Sequence, residues 1–356
     1  MQNKRILLKG NEAIAKGAID AGLEAYFGYP ITPQSELIEY MAREMTRLGR
    51  IFIQAESEIA AINMVFGASS AGASVMTSSS SPGISLKQEG ISYLAACELP
   101  AVIVNVMRGG PGLGNIAPSQ SDYFQAVKGG GHGDYHNIVL APNSVSEMYS
   151  IMLDAFNLAF KWKNPVMVLA DGMLGQMIEN VYIPQKTKKI KKGDLSWTVG
   201  KNSNNKQKII HSLFLEPEKL EKVNLNLQKK YKQIKGQEQR YEEYKMNNAT
   251  IAIIAYGLCS RIGKGIIEKL RKKNIKIGLI RPITLWPFPL DTISKYLKKL
   301  KEIWVIELSS GQMVEDVKLA ANGKIKVRFF GKLGGVVPTE KEIINFFNST
   351  KKDSNV

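Results

Sequence analysis

Short apolar runs alternate with helix-patterned segments along most of this chain, and that alternation leaves room for little besides parallel sheets flanked by helices. In residues 1–184 a helix from Gly10 to Gly22 precedes the apolar run Ala25 to Gly28 and the turn Tyr29-Pro30-Ile31-Thr32-Pro33. Ser35 to Leu48 reads as a second helix, with Leu37, Ile38, Met41 and Met45 on one side. Ile51 to Gln54 is a strand, Ser57 an N-cap, and Glu58 to Ala71 a helix of small residues. The strand Ala73 to Thr77, the helix Ile84 to Cys97 and the β-branched strand Pro100 to Met107 follow, ending at Arg108. Beyond a glycine-rich loop, the run Ile138 to Ala141, the helix Val145 to Trp162 and the strand Val166 to Ala170 complete an α/β domain.

The pattern breaks in residues 185–248, where Lys, Asn, Gln and Glu predominate. Glu216 to Lys245 has helix-forming residues but a thin apolar stripe in Leu220, Val223, Leu227, Tyr231 and Ile234, which predicts a charged connector with an exposed helix. From Ala249 to residue 348 a second α/β pattern runs. Its strands are Ile251 to Ala255, Lys276 to Ile280, Ile303 to Ile306 and Lys326 to Phe329; its helices are Arg261 to Lys272, Leu290 to Leu300, Met313 to Ala321 and Thr339 to Phe347. Residues 349–356 read as a polar tail.

Charge and cysteine content narrow the function. The net charge of +16 is unevenly spread. Residues 1–184 hold 12 basic and 16 acidic side chains, for −4; residues 185–248 carry +9 and residues 249–356 carry +11. The excess is lysine with few interleaved aromatics and no nucleic-acid-binding motif, so it reads as a solvated surface and no nucleic-acid partner is expected. Cys97 and Cys259 are the two cysteines of the chain. They exclude a disulfide framework and cannot by themselves hold an iron–sulfur cluster or structural zinc. No apolar run approaches a membrane span or an export signal, so a cytoplasmic protein with no membrane association is expected.

The candidate chemistry lies in the acidic first half. Prolines bracket Thr32, a carboxylate at Glu58 opens a helix, and Arg108 precedes Gly109-Gly110-Pro111-Gly112. Each has a plain alternative: Glu58 as an acidic residue favoured by the helix dipole, Thr32 as a brace for its turn, Arg108 as a loop charge. Glu56 either supports Glu58 or faces solvent. Ser78 to Ser81, before Pro82-Gly83, either supply hydroxyls to a pocket, Ser79 and Ser80 first, or cap a strand-to-helix turn. His132, His136 and His211 lack metal-ligand spacing, and no metal site is expected on this chain; His132 is kept as a loop residue near the site. Gly110-Pro-Gly-Leu-Gly114 lacks dinucleotide-loop spacing.

Taken together, Gly28-Tyr-Pro-Ile-Thr-Pro33, Glu56-Ser-Glu58-Ile-Ala-Ala, Arg108-Gly-Gly-Pro-Gly-Leu-Gly114, Gly129-Gly-Gly-His-Gly-Asp134 and Ile280-Arg-Pro-Ile-Thr-Leu-Trp-Pro-Phe-Pro289 closely resemble the alpha subunit of 2-oxoacid:ferredoxin oxidoreductases, above all the type acting on 2-oxoisovalerate (3-methyl-2-oxobutanoate). The resemblance covers nearly the whole chain except the connector. It implies a thiamine diphosphate-binding fold, with a pyrimidine-type domain followed by a transketolase C-terminal-like domain. By that similarity Glu58 would hydrogen-bond N1′ of the aminopyrimidine, Pro30 and Ile31 would line the cofactor, and Thr32 and Arg108 would hold the 2-oxoacid. It implies CoA-dependent oxidative decarboxylation to acyl-CoA and carbon dioxide, with ferredoxin reduced. Same-family action on pyruvate, 2-oxoglutarate or an aryl pyruvate is one alternative, and a non-catalytic scaffold with a lapsed half-site is another. The motif that anchors magnesium and diphosphate in thiamine enzymes has no convincing match, since Ala170-Asp171-Gly172-Met173 lacks the first glycine. Magnesium and the diphosphate are therefore expected on a beta subunit, and [4Fe-4S] clusters on other partners, a gamma and a ferredoxin-like delta subunit.

Overall fold

A computed structural model describes residues 4–185, 187, 189–201 and 207–349. Residues 350–356, most of the expected tail, lie outside it. Two sheets organise the chain. The larger has seven strands in the order Thr284–Trp286, Ile138–Leu140, Pro165–Asp171, Ala101–Met107, Val75–Ser79, Ala25–Gly28, Ile51–Gln54. All its pairings are parallel except that of Thr284–Trp286 with Ile138–Leu140. The central strands are buried throughout, as expected where helices cover both faces.

The smaller sheet runs Tyr241–Tyr244, Ile277–Pro282, Ile251–Ile254, Glu302–Glu307, Lys326–Gly331, with the first strand antiparallel to its neighbour. Each sheet thus takes an edge strand from outside its own stretch of sequence pattern. Tyr241–Tyr244 comes from the segment read as a connector, and its pairing covers an otherwise open sheet edge. Thr284–Trp286 leaves the second unit to extend the first sheet. The connector helix spans Pro217–Gln237, shorter than the sequence pattern suggests, and is not wholly exposed: Leu227, Tyr231 and Ile234 are buried. A further antiparallel pair, Lys4–Lys9 with Ile178–Ile183, was not expected from the apolar pattern.

Buried polar contacts lock the two units together. Arg281, 4 % exposed, meets both oxygens of Glu147 at 2.8 Å and a Glu242 oxygen at 2.8 Å. Gln120 bonds Leu308 at both backbone groups and donates to the Tyr256 carbonyl, while the Tyr123 hydroxyl donates to Asp316 at 2.6 Å. Removing one partner from such a pair leaves an uncompensated buried group, which is costly.

Candidate active site

Parallel strands deliver their following loops to one edge of a sheet, and the larger sheet places its notable residues there. Ala25–Gly28 leads into Tyr29 to Thr32, Ile51–Gln54 into Glu58, Val75–Ser79 into Ser80, and Ala101–Met107 into Arg108. These strands are neighbours, so residues up to 76 positions apart in sequence meet on one rim.

Glu58 is the first residue of the helix Glu58–Ser70. Ser57 caps it, its hydroxyl accepting from the Ala60 N–H at 3.1 Å, so the cap does not depend on Glu58. The Glu58 carboxylate is turned inward and is 5 % exposed. Among the described residues it has no ion pair, and the Ser79 hydroxyl donates to it from 3.5 Å, a weak bond. Gly83, in the helix Ser81–Ala96, makes this placement possible: a Cβ there would lie 2.4 Å from Glu58 Oε1 and 2.1 Å from Ser79 Oγ. Glu56 is exposed.

The Tyr29–Pro33 turn is fastened from below. Asn11 and Gln176 both donate to the Pro33 carbonyl, and Gln34 accepts from the Ser78 hydroxyl at 2.6 Å. Thr32 itself is exposed on the rim beside Pro30 and the half-buried Ile31. Arg108 joins this turn to the glycine-rich loop, donating from Nη1 to the Thr32 carbonyl at 2.9 Å and from Nη2 to the Leu113 carbonyl at 3.0 Å. Its Nε is buried without a partner among the described residues. The Arg108 N–H donates to Ser81 Oγ, which in turn donates to Asp122 at 2.6 Å. The Asp122 carboxyl is raised by burial, against the hydrogen bonds from Ser81 and Asn105. Arg108 therefore contacts Thr32 through its backbone carbonyl.

The two serines differ. Ser79 faces Glu58, whereas the Ser80 hydroxyl is fully buried and has no partner among the described residues. His132 is exposed and set edge-on to Tyr93, with ring centroids 6.5 Å apart. Tyr93 lies ten residues beyond Gly83 on one helix, roughly 15 Å along its axis, so His132 is not brought to Glu58. His136 stacks on Trp286 and burial pushes it down to about 4, while His211 packs against Phe214.

Asp171 is spent on structure. It is 1 % exposed, accepts from the Met173 and Leu174 N–H groups at 3.0 Å, and reaches the Leu258 N–H at 3.4 Å. It thereby caps a short helix of its own unit and the helix Gly257–Arg271 of the other. This explains why that second helix begins before the Arg261 expected from sequence: its cap comes from a distant segment. Among the described residues no group of three or more His, Cys, Asp or Glu is placed to hold a metal.

Sequence reasoning missed Lys87. It is fully buried beneath the site, and its Nζ donates to the Glu58 carbonyl at 3.3 Å. The available signal was a lysine flanked by Gly83 and Gly90 at helical spacing. A cleft of about 450 Å³, lined in part by Ser81, Gly112, Asp122 and Gln312, runs between the glycine-rich loop and the second unit. Around the rim Tyr29, Ile59, Leu86, Leu113 and Ile116 expose apolar surface.

Residues 16–246 match the family model described as pyruvate flavodoxin/ferredoxin oxidoreductase, thiamine diphosphate-binding, and residues 249–343 match pyruvate:ferredoxin oxidoreductase core domain II. The ketoisovalerate oxidoreductase subunit VorB of Methanothermobacter marburgensis is 49% identical over 98% of this chain and 99% of its own length. The 2-oxoglutarate synthase subunit KorA of Archaeoglobus fulgidus is 39% identical over 92% and 95% respectively. Among solved structures, a 2-oxoglutarate:ferredoxin oxidoreductase from Magnetococcus marinus, with 2-oxoglutarate, coenzyme A and succinyl-CoA bound, superposes with a TM-score of 0.89 at 28% identity. The match covers 98% of this chain but 65% of that longer one. A split-gene transketolase in an inactive beta4 tetramer, 13% identical with a TM-score of 0.60, shares the fold.

Proposed function

Since this chain belongs to the thiamine diphosphate-binding family of 2-oxoacid:ferredoxin oxidoreductases, we propose that it is the alpha subunit of a ketoisovalerate-type enzyme. The reaction is the CoA-dependent oxidative decarboxylation of 3-methyl-2-oxobutanoate, with reduction of ferredoxin. The observation that carries the site reading is the inward Glu58 carboxylate, buried beside the bare Cα of Gly83 and without an ion pair among the described residues. A buried carboxylate in that condition suits a ring nitrogen that carries a proton. The unpartnered Ser80 hydroxyl and Arg108 Nε supply further polar contacts. These features fit the pyrimidine half of thiamine diphosphate, which Glu58 would hold from below and Pro30 and Ile31 from the turn.

When bound, thiamine diphosphate supplies a nucleophilic carbon and an electron sink for the departing carboxylate. Glu58 holds the proton at the pyrimidine nitrogen. Thr32 and Arg108 orient the 2-oxoacid, the arginine through a charge-assisted contact with its carboxylate. The apolar rim of Tyr29, Ile59, Leu86, Leu113 and Ile116 suits a partner chain that closes the site and excludes water. We assign the diphosphate and magnesium to a beta subunit and the [4Fe-4S] clusters to further gamma and delta subunits, in a cytoplasmic complex. Residues 1–184 form the pyrimidine-type domain and residues 249–348 the transketolase C-terminal-like domain, bridged by residues 185–248.

The test is viologen reduction by the anaerobically purified complex, with coenzyme A and 3-methyl-2-oxobutanoate, pyruvate or 2-oxoglutarate in parallel. The branched acid is expected to give the highest kcat/KM; a preference for 2-oxoglutarate would move the substrate to the other branch. Glu58→Gln is expected to assemble normally and lose about 10²–10⁴-fold in kcat. Full turnover in that variant would reject the site reading and favour the scaffold.

A further inference from the structure

Lys87 is not accounted for by the chemistry above. It lies four residues after Gly83 and three before Gly90, so all three occupy one face of the helix Ser81–Ala96. That face packs directly on the Glu58–Ser70 helix: a Cβ at Gly90 would sit 2.6 Å from Ile62 Cγ2, and one at Gly83 2.4 Å from Glu58 Oε1. Between two residues without side chains, the long lysine is fully buried, with the Glu58 carbonyl as its hydrogen-bond acceptor at 3.3 Å.

Stability does not explain a lysine there. A buried ammonium with a single acceptor is costly, and the N-terminus of a helix is the end that repels cations. The compensating interaction is the negative charge of Glu58, which opposes the burial that holds the Lys87 ammonium down to about 8. We propose that Lys87 is a positioning residue for Glu58, fixing the first turn of its helix through the carbonyl and, from beyond ion-pair distance, supplying a counter-charge to its carboxylate inside the closed site. The inference rests on the catalytic reading of Glu58, and the experiment separates the two.

Complexes carrying Lys87→Met, Glu58→Gln or both are compared with wild type for melting midpoint, turnover and calorimetric affinity for thiamine diphosphate. Lys87→Met removes a costly buried charge at similar side-chain length. It also leaves the buried Glu58 carboxylate without that counter-charge, so the two effects on stability oppose each other and the melting midpoint should move little, while turnover and cofactor affinity each fall at least tenfold. In the Glu58→Gln background, the same substitution should cost clearly less cofactor affinity than in wild type, because the counter-charge has lost its target and only the bond to the residue-58 carbonyl remains. Lys87→Arg keeps charge and donor and should lose less than Lys87→Met in both respects. Failed assembly of Lys87→Met, or a melting midpoint so low that the loss of turnover merely follows unfolding, would mark a structural role and overturn the proposal. So would unchanged turnover, or an undiminished loss of affinity in the Glu58→Gln background. If Glu58→Gln retains full turnover, the reading of the site falls; if it is inactive and the Lys87→Met loss is additive, the inference about Lys87 alone falls.

Discussion

Gly83→Ala adds one methyl group and tests the construction of the site more sharply than removal of any charged residue. The new Cβ would begin 2.4 Å from Glu58 Oε1 and 2.1 Å from Ser79 Oγ. Ordinary contact with an oxygen lies near 3.4 Å, so the carboxylate must retreat by about 1 Å. Retreat of the helix carrying Gly83 is the costlier alternative, because it would open the close packing of Gly90 on Ile62 of the Glu58 helix. A displacement of about 1 Å at a reacting group costs on the order of 10²-fold in rate. The fold should survive. Overpacking costs about 1–3 kcal/mol, and the gain in helix propensity on replacing glycine returns about 1 kcal/mol. Gly67 is the control, since it lies in the Glu58 helix and, its chain neighbours and the helix's own backbone aside, no atom lies within 4 Å of its Cβ position. Gly67→Ala should raise stability by roughly 0.5–1 kcal/mol and leave the rate unchanged. Viologen reduction by the assembled complex and thermal melts of both variants provide the measurement. Wild-type turnover in Gly83→Ala would refute the claim that this glycine sets the position of Glu58.

Two further substitutions address other parts of the rim and interface. Arg108→Lys cannot reproduce the paired bonds to the Thr32 and Leu113 carbonyls, and kcat/KM for the 2-oxoacid should fall by about 10–100-fold, in line with roughly 1.5–3 kcal/mol for charged hydrogen bonds; an unchanged kcat/KM would remove Arg108 from the site. Asp171 is raised by burial to about 6 from 3.8, partly offset by hydrogen bonds from the Leu174, Leu258 and Met173 N–H groups. The folded chain therefore binds the extra proton between those values, so this residue's contribution to stability falls as pH rises from about 4 to 6, by about 3 kcal/mol in all. Asp171→Asn should lack that part of the slope in denaturant unfolding, and an identical pH dependence in variant and wild type would contradict the assignment.

Local signals in the sequence carried the elements and the candidate catalytic residues. The apolar pattern located Ile51–Gln54, Val145–Trp162 and Met313–Ala321 at their observed bounds, and in the two helices this is because a buried face enforces its period wherever the chain is long enough to show it. The Ser57 cap was legible for the same reason: its bond closes within three residues. Thr32, Glu58 and Arg108 stood out because prolines, a helix start and glycines mark them locally. What the sequence did not determine were relations between distant segments. The edge strands Tyr241–Tyr244 and Thr284–Trp286 exist through pairing partners elsewhere in the chain, and Asp171 caps a helix 87 residues away. The inward turn of Glu58, the backbone grip of Arg108 on Thr32 and the burial of Lys87 depend on how close two helices and two loops come. Only packing fixes that distance, and at Gly83 a single methyl group is enough to change it.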